Sequence, residues 1–128
     1  MTDSHASHTD LAAAVSRDVL PFVTNPAQYV GGEVNAARKD WDAAKVRLCL
    51  AFPDTYGIGM SHLGSAIVYD IVNARADALC DRTFAPWTDA ADRLCALGLP
   101  LFAWQSRRPV RAFDLVGWSP AVSERERR

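Results

Sequence analysis

VRLCLAFPDTYGIGMSHLGSAIVYDIVNA, residues 46–74, is the stretch whose reading decides the fold. Its first seven residues, Val46 to Phe52, are almost all apolar and read as a buried β-strand. Pro53-Asp54-Thr55-Tyr56-Gly57-Ile58-Gly59 reads as a loop at the strand's carboxyl end. From Met60 to Ala74 the apolar residues Met60, Leu63, Ile67 and Ile71 fall on one stripe, widened by Val68 and Val72, which is the helical period. Strand, loop and helix in that order form the opening unit of an open α/β sheet. In such sheets ligands bind outside the carboxyl ends of the strands.

Working outward, the N-terminal side begins with a polar stretch, residues 1–8, expected to be a disordered tail. Thr9 is placed to cap a helix over Asp10–Leu20, with Leu11, Val15 and Val19 on one face and Pro21 at its end. Residues 9–45 form this helix and a lead-in bent at Asn25-Pro26 and Gly31-Gly32, with Glu33–Lys39 as a short helical turn. On the C-terminal side, Leu79–Ala85 reads as a second strand. Thr88 is placed to cap a helix over Asp89–Leu97, and Gly98 follows its end. Leu99–Trp104 and Phe113–Trp118 read as further strands, separated by a turn at Arg107–Arg111. Alternating strands and helices predict a Rossmann-like partial parallel sheet with flanking helices, preceded by an N-terminal helix. This α/β domain spans 46–119. Residues 120–128 are a charged tail without an apolar face, where a doubly wound sheet needs another covering helix.

The composition describes one domain. The chain has 128 residues, 49% hydrophobic and 23% charged, with a net charge of -1. That balance gives no general attraction for nucleic acid or anionic membrane. Leu11 to Val15 is far too short to span a bilayer, and no secretory signal opens the chain. Cys49, Cys80 and Cys95 form no C-x-x-C pair and read as small packed residues of a reducing compartment. The expected location is the cytoplasm.

His62 is the titratable residue of most interest, because it lies near a helix N-terminus whose free N–H groups and dipole favour an anion and a neutral ring. Ligand binding and plain packing are both open to it. Asp54 and Tyr56 follow the strand directly. Asp54 either points into the crevice or bonds its own loop backbone. Gly57, Gly59 and Gly64 match neither G-x-G-x-x-G nor a P-loop; they either line a ligand or permit a sharp turn and close packing. With Ser61, these residues form the expected crevice: Asp54, Tyr56, Gly57, Gly59, Ser61, His62 and Gly64. Arg107, Arg108 and Arg111 form a small basic cluster that reads either as a solvated turn or as a contact for phosphate or RNA. The sequence shows no catalytic set and no metal site.

Several strings resemble the opening of a bacterial radical SAM protein family: Tyr29–Asn35, Leu50–Asp54, Gly57–Gly64, Phe84–Trp87, Pro100–Phe102 and Ser106–Pro109. Members begin with a domain similar to the cobalamin-binding domain and continue into a radical SAM barrel. The resemblance implies a Rossmann-like fold, a radical SAM core normally in cis, and a parent protein holding a [4Fe–4S] cluster and S-adenosylmethionine through C-x3-C-x2-C. This chain lacks that motif, and cluster chemistry needs three thiolates on one short loop. The resemblance also raises cobalamin. Histidine-ligating domains carry D-x-H-x-x-G, whereas here Met60 stands two residues before His62 and Gly64 two after it. The expectation is a truncated or frame-shifted accessory piece, inactive alone, with a degenerate cobalamin domain or one that holds cobalamin without histidine ligation. The competing expectations are a free-standing interaction module and an independent cobalamin or nucleotide binder.

Overall fold

The computed structural model describes residues 10–31 and 36–118. The expected N-terminal tail, the C-terminal charged tail and part of the Glu33–Lys39 turn lie outside these residues. Three parallel strands form the sheet: β1 (Val46–Phe52), β2 (Ala78–Phe84) and β3 (Leu115–Trp118), in the order β2-β1-β3. Helix α1 (Tyr56–Met60) and helix α2 (Leu63–Asn73) lead from β1 to β2, and α3 (Thr88–Leu97) follows β2. The architecture is α/β, a partial Rossmann-like sheet with flanking helices and an N-terminal helical segment.

Register fixes which side chains share a face. Cys80, Leu48 and Leu115 stand in one row, and Arg82, Leu50 and Gly117 in the next. Side chains alternate along a strand, so these two rows lie on one face, and Asp81, Cys49 and Val116 on the other. Helix α2 covers the first face over β2. The Tyr69 ring lies 3.9 Å beneath the Arg82 guanidinium, and Asn73 bonds the backbone of Cys80. On the second face Cys49 and Leu79 pack with Ala44, Ala103 and Phe113.

The larger core lies at the carboxyl end of β2. There Phe52 and Phe84 meet Leu11, Val15 and Val19 of the N-terminal segment, Ala90 and Leu94 of α3, and Phe102 and Trp104. The four-residue repeat at Leu11, Val15 and Val19 does mark a buried face. The segment is α-helical over 10–14, winds as a π-helix over Val15–Val19 and tightens to a 3₁₀ turn over Leu20–Phe22. It therefore runs past Pro21, which fits because a first-turn proline has no N–H to lose.

Four expectations need correction. Residues 53–59 are not an open loop: Tyr56–Met60 is helical, with Gly59 N–H bonded to Thr55 C=O. Helix α2 starts at Leu63, because the chain breaks at Ser61-His62 and His62 caps the new helix. Thr88 is the first residue of α3 and its side chain caps nothing, whereas Gly98 ends that helix with φ 65°, as a left-handed cap should. Leu99–Trp104 is not a strand. Phe102 makes one antiparallel bridge to Pro109, and the following turn is pinned by Asp81. The Asp81 carboxylate accepts from the N–H groups of Arg82, Gln105 and Ser106.

Candidate functional site: a crevice where the sheet reverses

Strand order changes direction at β1, which has β2 on one side and β3 on the other. A crevice opens at the carboxyl ends of adjacent strands wherever their connections diverge in this way. Here it is a cavity of about 310 Å3 lined by Leu50, Ala51, His62, Gly64, Ser65, Val68, Gly117 and Trp118. β1 and β3 form its floor, and the first turns of α2 form its wall. Gly117 keeps the floor low, since a Cβ there would stand 3.0 Å from Leu50 Cδ2.

His62 and Ser65 are the polar side chains of this crevice. The His62 Nδ1 accepts a hydrogen bond from the Ser65 N–H at 3.1 Å and lies 2.9 Å from Ser65 Oγ. The ring packs on Phe52, with centroids 4.9 Å apart. Helix capping therefore sets the orientation of the imidazole. Gly64 lies against the same ring, so that a Cβ there would approach His62 Cε1 to 3.1 Å.

Two of the seven expected crevice residues, His62 and Gly64, line the cavity. Asp54 turns to its own loop: Oδ1 accepts from Thr55 N–H at 2.7 Å, and its carbonyl accepts from Ala85 N–H. Tyr56 packs edge-on against Phe84 in the core. Gly57 is exposed, and its carbonyl accepts from Ser61 Oγ at 3.0 Å. Gly59 is buried where a Cβ would fall 2.2 Å from Phe84 Cδ1, so its role is close helix–sheet contact. Reading the sequence alone missed Leu50, Ala51, Ser65, Val68, Gly117 and Trp118. The one available signal was Gly117-Trp118 at the end of a strand.

The cysteines do not gather. Cys49 and Cys80 project from opposite faces of the sheet, and Cys95 is exposed on α3. Burial raises both sheet thiols, Cys80 to about 12 and Cys49 further, the reverse of what thiolate ligands require. Among the described residues no three His, Cys, Asp or Glu side chains are placed to hold a metal ion. An iron–sulfur cluster does not fit this donor set.

A histidine-ligated cobalamin does not fit either. His62 spends Nδ1 on its helix cap, and among the described residues no carboxylate is bonded to the ring. The cavity is at the small end of ligand pockets.

Residues 64–123 match the family model described as radical SAM proteins, N-terminal. The matched stretch is just under half of the chain and runs from the first turn of α2 past β3. It is similar to the N-terminal region of radical SAM proteins and includes the crevice wall and the β3 part of its floor. No curated protein and no solved structure matches the chain. Among the described residues no helix is long and apolar enough to cross a membrane.

Proposed function

We propose that this chain is the accessory α/β domain of a radical SAM protein, non-catalytic by itself, which docks on the iron–sulfur core and shapes a crevice beside it. The observation that carries this reading is the position of the crevice. It sits at the reversal point of the sheet, and α2 and β3, which belong to the matched stretch, build much of it. The scattered thiols, two of them buried, support the non-catalytic part. The same free thiols support a cytoplasmic setting.

The test has two arms. After reconstitution with iron and sulfide, the chain alone should neither absorb near 400 nm nor cleave S-adenosylmethionine. Mixed with a separately expressed C-x3-C-x2-C core, taken from a radical SAM protein whose N-terminal region matches the same family, it should co-elute as a one-to-one complex. Cleavage by the chain alone, or no complex with the core, overturns the proposal.

A further inference from the structure

The crevice holds a hydrogen-bond donor whose identity is fixed. The Ser65 N–H can only donate, so the Nδ1 that accepts it keeps its lone pair, and the ring proton of His62 sits on Nε2. Among the described residues Nε2–H has no hydrogen-bond partner. In this tautomer the ring offers the crevice a donor and not a lone pair.

The walls around it are uncharged. No Asp, Glu, Lys or Arg is among the described residues that line the cavity. A charge brought there would lose its water and gain no counter-ion. The apolar stripe of α2 faces outward, with Leu63, Ile67 and Ile71 exposed and Tyr69 as the buried anchor in their place. Val68 is the member of that stripe that lines the crevice.

One side is aromatic. Trp118 is 65% exposed and, unlike Trp41 and Trp104, stacks on no other ring among the described residues. Its indole is therefore surface on which a flat group can rest. Gly117, beside it, leaves the floor without a side chain. The volume of about 310 Å3 fits a compact ring system.

We infer that the crevice receives a flat, uncharged heteroaromatic ring, which accepts a hydrogen bond from His62 Nε2–H through a ring nitrogen or a carbonyl oxygen and lies against Trp118. Its assignment to the substrate of the radical SAM core rests on the function proposed above.

The experiment uses the full chain and two probes of the same shape, quinoline with a ring nitrogen and naphthalene without one. Binding is read by titrating amide chemical shifts. Quinoline should move the Ser65 and Gly117 resonances and bind about tenfold more tightly than naphthalene, the worth of one hydrogen bond. His62→Asn keeps the cap of α2 but is too short to place a donor where Nε2 stands. It should bring quinoline down to the affinity of naphthalene and leave naphthalene unchanged. Trp118→Ala should weaken both probes about fivefold. Trp87→Ala, similarly exposed but outside the crevice, should change neither. Circular dichroism checks that each variant folds. No binding of quinoline, equal binding of the two probes, or an equal loss of both in His62→Asn overturns the inference. A complex with the separately expressed core, measured apart, would still support the accessory-domain reading. If quinoline binds as expected and no complex forms, the ring site stands and its assignment to the core's substrate falls.

Discussion

The side-chain amide of Asn73 makes the two hydrogen bonds to Cys80 that a neighbouring strand would make. Nδ2 donates to the Cys80 carbonyl at 3.0 Å, and the Cys80 N–H donates to Oδ1 at 2.9 Å. Two residues further along the strand, Trp104 N–H donates to the Arg82 carbonyl. The outer edge of β2 is thereby occupied, which is how a sheet avoids unwanted strand pairing. Asn73→Leu leaves both backbone groups at Cys80 without partners, so stability should fall by about 1–3 kcal/mol. Urea denaturation measures this, and a midpoint unchanged from the parent chain would show that Asn73 is dispensable.

Gly59 should tolerate no side chain. Its Cβ position lies within 2.3 Å of two ring atoms of Phe84, and Phe84 is packed by Tyr56 and Trp104. Gly59→Ala should destabilise by about 1–3 kcal/mol through overpacking. Gly57→Ala is the internal comparison, since a Cβ there meets nothing within 4 Å. Alanine at an exposed helical position should be neutral or slightly stabilising. Thermal melts of the two variants moving together would refute this assignment.

The sequence is most legible where local pattern and tertiary role agree. Val46–Phe52 is read with its observed bounds, because an apolar run closed by Pro53 marks a central strand locally, although only Cys49, Ala51 and Phe52 of it are fully buried. Gly98 is read correctly because a left-handed cap is a local demand. The outward ridge of α2 is not legible, because periodicity shows that a helix has an apolar face without showing what covers it. Asp54 misleads for a related reason. A carboxylate after a strand is common to crevices and to self-capped turns, and only the Thr55 N–H distance separates them. Gly117 and Trp118 enter the crevice through the pairing of β3 with β1, a contact no local window contains.

The two buried thiols predict a pH dependence with a definite sign. Burial raises the folded-state pKa of Cys80 to about 12 and lifts Cys49 further, while an unfolded thiol titrates near 8.5. The raised values mean that their contribution is fully present below about pH 8.5 and is lost as pH climbs toward the folded pKa values. At pH 10 each thiol should have cost the fold about 2 kcal/mol. Urea midpoints measured from pH 7 to 10 should fall, and the fall should flatten in the Cys49→Ala/Cys80→Ala double variant. An equally steep fall in that variant would assign the effect to other groups.

His62 offers the sharpest separation of architecture from binding. As the cap of α2 it accepts the Ser65 N–H, a role that asparagine fills at least as well. His62→Asn should therefore keep the thermal midpoint within the error of the measurement, while His62→Ala should lose about 1 kcal/mol. Both variants remove the imidazole from the wall of the crevice. If the ring serves only α2, complex formation with the radical SAM core and any small-molecule binding in the crevice should survive in the asparagine variant. If the ring also faces a ligand, that variant should be as stable as the parent and yet bind more weakly. Parallel losses of stability in both variants would show instead that the packing of the ring on Phe52, rather than its hydrogen bond, is what α2 requires.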